Sequence, residues 1–559
     1  ASVSERLDQG HAAMAVGDWQ RARQAFAAAL EETETAEALE GLSWAAWWLE
    51  DAGTCLQARE RAYRLYRDHG DRRGAARMAV WLSDDYEVFR GDSAVANGWL
   101  RRSERLLEEL EPGPEHAWMV GLRAYAALDA ADTATARRLG SQAQELGRAQ
   151  GLADLELLGL AIEGAAFVDE GQIDKGMRRL DEAAAGALAG ECEELAGAAY
   201  TCCLVVSACD RVRDIDRAAQ WCRKIEDYSR RMGIRFVHGS CQAYYASALV
   251  WSGDWETAER ELVAAVGELT DARPGWYRAA VVRLAELRRR QGRIAEAERL
   301  FLQTEFDPLA RLGLAEIRFE RGDLGTARTL VEQALRSIPP EPLTPRIRPL
   351  ERVRPLELMV RVEVAAGAIP AAEEHLHALR ELVAALPITW PQAAANFAQG
   401  TVAAAVGDLG RARQHLGGAV ELFAASGAPF ETARSRLALA GVLQACDRSG
   451  AAAHEAAAAE RSFAALGAAS EHARAVRFLE QLGIRVATRD APGPLTPRQL
   501  EVLELIARGQ TDRQIASELV LSEHTVHRHV ANIMTRFGSS SRSAAVATAA
   551  QLGLLDQLE

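Results

Sequence analysis

The sequence predicts an all-α protein, a long α-solenoid of helical hairpin repeats followed by a four-helix module at the C-terminal end. Three observations predict it. The 559 residues are rich in Ala, Leu, Arg and Glu and only 6% aromatic, the profile of side chains that enter helices at least cost. A short turn-and-helix pattern recurs along most of the chain. After Gly483 that pattern stops and a different set of helix-start signals takes over.

The recurring pattern is a turn with Gly or Asp, one apolar residue, two variable residues, an Ala, and a large residue four positions on. It stands as Gly17-Asp18-Trp19 with Ala22 and Phe26, and as Gly253-Asp254-Trp255 with Ala258 and Leu262. It returns as Gly292-Arg293-Ile294 with Ala297 and Phe301, Gly322-Asp323-Leu324 with Ala327 and Val331, and Gly407-Asp408-Leu409 with Ala412 and Leu416. Weaker copies place the small residue at Ala58, Ala96, Ala136, Gly176, Ala218, Ala372 and Ala452. Gly and Asp make a tight turn and start the second helix of a hairpin. The Ala admits the first helix at close range, and the residue one turn further fills the gap to the next hairpin. Roughly twelve hairpins follow, each burying its apolar face only against its neighbours, which makes a superhelical solenoid. These residues resemble the tetratricopeptide family, although the hairpins are spaced more widely than its roughly 34 residues.

The expected organisation is repeats over residues 1–338, a Pro-rich break or hinge over 339–355, further repeats over 356–483, a linker over 484–494 and the C-terminal module over 495–559. The break rests on Pro339, Pro340, Pro342 and Pro355, because proline interrupts helices. A long loop within one hairpin is the alternative. The tetratricopeptide resemblance implies a concave face that binds a peptide or small ligand. Its register puts Trp47, Trp81 and Asp85 there, and a similar count adds Tyr125, Cys203 and Ser207. Aromatic rings beside a carboxylate suit a cationic or amphipathic small molecule. The alternative is that these tryptophans pack neighbouring repeats. On the first reading Trp47→Ala weakens effector binding without unfolding the array.

Capping signals divide the C-terminal module into four helices. Thr496, Pro497 and Gln499 open a helix that runs to Arg508 and stops at Gly509. Thr511 with Gln514 opens a short one ending near Leu519; Ser522 opens a third that ends at Gly538. Ser541 or Ser543 begins the last, which ends around Gly553. The second and third make a helix-turn-helix. In the third, Val526, Val530, Ile533 and Phe537 form a stripe for burial on Ile515, Ala516, Leu519, Val502, Leu503 and Ile506. The opposite face presents His524, His527, Arg528, Ala531 and Thr535, hydrogen-bonding groups and one methyl suited to base edges in a major groove.

Here the chain resembles the LuxR-type helix-turn-helix family. The run Leu495-Thr496-Pro497-Arg498, Glu501-Val502-Leu503, Gly509, Ile515-Ala516, Leu519, Ser522, Thr525-Val526, His529-Val530, Asn532-Ile533, Gly538 and Arg542 carries the match. The resemblance implies double-stranded DNA as partner, with His527, Arg528 and Ala531 toward the bases. It implies Ser522, Thr525 and Asn532 near phosphates, where Thr511 and Arg513 are also expected. The last helix, Ala544 to Leu552, is expected to support a homodimer. Many relatives carry Lys where His527 and Ala531 stand. Arg498, Arg508, Arg513, Arg528, Arg536 and Arg542 are nearly cancelled by Glu501, Glu504, Asp512, Glu518 and Glu523. One copy should therefore bind weakly, and a dimer on a two-fold site should bind with a shallow salt slope.

The reading that follows is a DNA-binding transcriptional regulator whose repeats bind a small-molecule or protein effector, with RNA polymerase a further expected partner. The alternative is a repeat-based interaction adaptor with an accessory DNA-binding module. The formal charge of −14 excludes a uniformly basic nucleic-acid binder but not a small binding module on an acidic body. No nucleotide-binding GxxxxGK[ST] run, nucleophile elbow, HExxH or paired-carboxylate constellation occurs, so neither enzyme chemistry nor a cofactor is expected. His375 and His377, two apart on a helix, face different sides and make no metal site. Cys192, Cys202, Cys203, Cys209, Cys222 and Cys241 crowd the middle without CxxC or zinc-ligand spacing and read as small buried thiols. The polar start, Ala1 to Gly10, and the lack of a membrane-length apolar run lead us to expect a cytoplasmic protein without membrane contact.

Overall fold

A computed structural model describes residues 2–270, 273–336, 349–484, 495, 497–537, 539, 541–551 and 555. The described residues form helices and turns with no strand, in two compact units, Ala1–Phe478 and Leu479–Glu559.

In the first unit, the twenty-four α-helices from Val3–Ala15 to Ser449–Leu466 pair in order as twelve hairpins, and Ala469–Gln481 follows. The repeat pattern explains the hairpins locally. Asp18, Asp51, Asp132, Asp214, Asp254, Asp323 and Asp408 each cap a second helix by accepting a hydrogen bond from the backbone N–H three residues on. Gly17 precedes the first of these with φ +74°, a conformation that disfavours any side chain. The small residues from Ala22 to Ala452 are all buried, one per hairpin. Ala372, Ala412 and Ala452 stand forty residues apart, wider than the tetratricopeptide spacing. Phe26, Leu262, Phe301, Val331 and Leu416 are buried as the gap-filling residues. Phe26 lies so close to Gly10 and Gly41 that a Cβ at either would stand 2.6 or 2.4 Å from its ring.

The solenoid winds tightly enough that successive superhelical turns touch. Trp19 Nε1 donates to the Gly233 carbonyl at 3.0 Å across 214 residues of chain, and Trp251 Nε1 to the Ser426 carbonyl at 3.1 Å across 175. Arg290 pairs with Glu431 at 2.8 Å, both buried. Indole hydrogen bonds and a buried ion pair thus join hairpins that lie far apart in sequence.

The Pro-rich segment needs correction. Residues 339–348 lie outside the described residues, but the expected break does not reach Pro355. A helix begins at Val353 and carries Pro355 in its first turn, where a missing N–H costs nothing. Nor do the repeats divide into two halves there. Leu358, Met359 and Val362 share one core with Leu312, Ala315, Ala327 and Val331, and Arg328 grips Glu363 with two 2.7 Å bonds. Packing between hairpins, not chain continuity, sets the cooperative unit of a solenoid.

Among the described residues, Leu195–Val212 alone is long and apolar enough to cross a membrane, and 89% of it is buried among its neighbours. The eight cysteines are free; Cys202, Cys203, Cys209 and Cys241 are buried, and burial pushes their thiols up.

The second unit holds helices Pro497–Ala507, Asp512–Leu519, Glu523–Arg536 and Arg542–Gln551. One core joins them: Val502, Leu503, Leu505, Ile515, Ala516, Val526, Val530, Ile533, Ala545 and Ala549, with Ile506, Leu519 and Phe537 packed against it. Thr496, Gly538, Leu552 and Gly553, the expected caps and ends, lie outside the described residues, as does the linker except for Ile484.

Candidate nucleic-acid interface

Helix Glu523–Arg536 starts because Ser522 is extended and its Oγ accepts the Thr525 N–H at 3.1 Å. The preceding helix starts at a capping box in which Thr511 Oγ1 accepts the Gln514 N–H while Gln514 Oε1 accepts the Thr511 N–H at 2.9 Å. Val520 closes that helix in the left-handed region, φ +56°, ψ +49°, and is 90% exposed. This turn sets the two helices of the motif against each other.

With Val526, Val530 and Ile533 buried, the helical period turns His524, His527, Arg528 and Ala531 outward, and all four are exposed. Thr511, Arg513, Ser522 and Asn532 are exposed around them, and Thr525 is half-buried. Thr525 Oγ1 is 2.7 Å from Ser522 Oγ, so the two hydroxyls stand together at the start of the helix. Asp512 also meets this face: one oxygen pairs with Arg542 at 2.8 Å and the other lies 3.6 Å from His527 Nδ1. Arg513 lies 3.9 Å from Glu523. Acidic residues therefore stand at the first turn of both helices, where orphan N–H groups favour anions.

In the solenoid the six sequence-named residues fall out differently. Trp47 (1% exposed), Trp81 and Asp85 do come together, but as a buried cluster rather than an open face. Trp47 Nε1 donates to Asp85 at 3.0 Å, and Arg59, itself fully buried, pairs with the same carboxylate at 3.0 Å. Trp44 links Trp47 and Trp81 edge-on, with the Arg59 guanidinium 4.3 Å over its ring. The carboxylate offered to a cation is thus taken by the protein's own arginine, and Trp47→Ala would open a core cavity, contrary to the expectation above. Tyr125, half-buried, meets Tyr200 edge-on, and the Tyr200 hydroxyl donates to Asp84 at 2.6 Å. Cys203 lies 3.9 Å from Ser240, and Ser207 accepts a bond from Arg211 at 2.8 Å. Burial raises the Asp84 carboxyl to about 7, with Asp85 adding to the shift and the Tyr200 bond, Arg273 and Arg59 opposing it. Among the described residues, no group of His, Cys, Asp and Glu is placed to hold a metal ion.

Residues 493–549 match the family profile described as bacterial regulatory proteins, luxR family. The spore germination protein GerE of Bacillus subtilis is 44% identical over 62 residues, 11% of this chain and 84% of that protein. The response regulator Rre1 of Synechocystis is 33% identical over 81 residues, 14% of this chain and 35% of its own. The quorum sensing-dependent transcriptional regulator VjbR of Brucella ovis is 40% identical over 65 residues, 12% of this chain and 25% of its own. Of solved structures, an APC/C hetero-tetramer Cut9–Hcn1 matches at 14% identity and TM-score 0.36, covering 85% of this chain and 96% of that one. Yeast Tom70 matches at 13% and 0.30, covering 86% and 95%.

Proposed function

Because the chain belongs to the luxR family of bacterial regulatory proteins, we propose that it is a sequence-specific transcriptional regulator whose solenoid receives an effector and governs the DNA-binding module. One observation carries the reading: helix Glu523–Arg536 seals Val526, Val530 and Ile533 inside while His524, His527, Arg528 and Ala531 project from its open side. A helix with a shut apolar side and a donor-bearing open side fits a major groove. Arg528 grips guanine O6 and N7, His524 and His527 donate or accept, and Ala531 meets a thymine methyl. Thr511, Arg513, Ser522, Thr525 and Asn532 fix the register on phosphates.

The module pairs with a second copy through Arg542–Gln551, which buries Ala545 and Ala549 inward and leaves Ala547 and Ala550 exposed. RNA polymerase is the partner such a regulator addresses, and the cytoplasm is where both meet DNA. The chemistry is binding, not catalysis. The test is selection from a random duplex library with the full chain, with and without cell-extract fractions. A two-fold related consensus whose enrichment changes with a fraction is expected. No preference over random competitor under any condition sinks the proposal.

A further inference from the structure

Arg273 closes an aromatic cluster of the solenoid from the far side of a superhelical turn. It is 1% exposed, and its guanidinium lies 4.0 Å from the ring centre of Trp47, 4.7 Å from Phe89 and 4.8 Å from Trp276. Glu50 stands 3.6 Å away, and Arg273 donates to the Trp47 carbonyl at 3.5 Å across 226 residues of chain. Three ring faces, a carboxylate and a carbonyl around one flat cation are the chemistry by which proteins recognise guanidinium and alkylammonium groups. Phe89 reaches the chamber because the helix ending at Asp85 widens into a π-turn over Tyr86–Arg90.

Local structure does not call for an arginine at position 273. It precedes Pro274 at the start of helix Pro274–Arg290 in an extended conformation open to any residue there, and its side chain makes no capping bond. Its burial is a property of the chamber. Trp47 and Phe89 are buried, but Trp276 is half-buried, so one wall of the chamber reaches the surface. Asp84 and Asp85 add negative potential from the helix Arg72–Asp85 that leads to Phe89, while Arg59 is committed to Asp85.

We propose that this chamber is a cation-recognition site which Arg273 fills as an internal ligand, and that the exchangeable ligand is a small molecule ending in a guanidinium or alkylammonium group. The inference rests on the effector reading above and names its chemistry. A ligand that takes the cage displaces Arg273 and breaks the tie between the hairpin Ala36–Asp68 and the helix Pro274–Arg290, one superhelical turn on. A tethered arginine competes at high effective concentration, so a bare guanidinium cannot displace it at low concentration and a physiological ligand needs contacts beyond the cage.

Full-length Arg273→Ala is the test, titrated with methylguanidinium chloride against sodium chloride at equal ionic strength and followed by melting temperature and tryptophan fluorescence. The variant should melt below the wild type. Methylguanidinium should restore stability saturably with a half-effect in the millimolar range, about the affinity of a one-group ligand. Adding Trp276→Leu should remove the saturable part. If Arg273→Ala does not fold, recovery of folded protein on refolding with methylguanidinium supports the site, and no recovery overturns it. A shift no larger than that with sodium chloride, or one unaffected by Trp276→Leu, does the same. Duplex selection with the wild type reports on the regulator reading separately, because the rescue requires no DNA.

Discussion

Asp85→Ala decides whether the buried carboxylate of the N-terminal cluster is a keystone or a ligand contact. Its side chain is fully buried, pairs with Arg59 at 3.0 Å, accepts from Trp47 Nε1 at 3.0 Å and lies 3.5 Å from Cys55 Sγ. Removing it leaves the Arg59 guanidinium charged in a site with no access to water. Breaking one side of a buried pair costs about 3–5 kcal/mol, most of it from the orphaned charge. Replacing both partners by apolar side chains, Asp85→Leu with Arg59→Met, should cost far less and can be neutral. Solenoids do not unfold as one unit, so the readout is amide hydrogen exchange in the hairpins Ala36–Asp68 and Arg72–Leu107. At 1.4 kcal/mol per decade, the single variant should exchange about a hundred to a few thousand times faster there, and the double variant should recover most of that protection. Exchange left unchanged by Asp85→Ala, or a double variant as damaged as the single one, refutes the keystone reading.

Arg528→Ala should weaken binding to the selected duplex by about 1–3 kcal/mol, or roughly 5- to 150-fold, and relax preference at one position of each half-site; an equal loss on all duplexes would reassign it to phosphate contact. Ala531→Lys should steepen the salt dependence of duplex binding by about 0.9 per module, measured as the slope of log affinity against log salt. Val520→Asn should stabilise helix Asp512–Leu519 by about 1 kcal/mol, because a β-branched residue pays for the left-handed region and asparagine largely does not; slower exchange of its amides checks this. Asp84→Asn should raise the melting temperature at pH 8 but not at pH 4. The folded carboxyl, lifted to about 7, binds a proton that the unfolded chain has lost above about 4, so native stability falls as pH rises between those values. Asparagine keeps the acceptor for Tyr200 and removes the titration, and a melting difference that is the same at both pH values would contradict the assignment.

The hairpins were legible because their signal is local. A capping aspartate, an alanine and a residue four on report on one turn and two packed helices, and Ala22, Phe26, Ala258 and Leu262 all lie buried as that logic requires. The interface helix was legible for the same reason: Val526, Val530 and Ile533 at helical spacing fix which side faces inward. The interior of the superhelix was not legible. Register puts Trp47 and Asp85 on an inner face but cannot say what crosses from the next turn, and what crosses is Arg273, more than two hundred residues away. Arg59 escaped notice beside its alanine marker, and Asp512 escaped because its role depends on Arg542 from the fourth helix. The proline run misled in another way. Proline marks where a helix must not continue, yet a proline in a first turn is harmless, and the core passes over the segment through Leu358 and Val362.

The charge balance constrains how such a regulator can be controlled. Between residues 495 and 559 stand six arginines and no lysine against seven acidic residues, so nearly all of the −14 net charge resides elsewhere in the chain. A near-neutral module gains little from counterion release, so on the proposed reading its groove affinity comes from base contacts, backbone donors and a second copy. Two modules held at a fixed spacing bind as one ligand, with effective concentrations in the millimolar range for short connections. A single module of modest affinity loses nearly all occupancy once that pairing is lost. Weak intrinsic binding is therefore what makes control by pairing effective: a strongly basic module would stay on DNA whatever the solenoid did. On this argument Ala531→Lys should do more than steepen the salt slope. Because the added charge is blind to sequence while the Ala531 methyl contact is lost, it should raise binding to random duplex more than binding to the two-fold site, eroding specificity and control together.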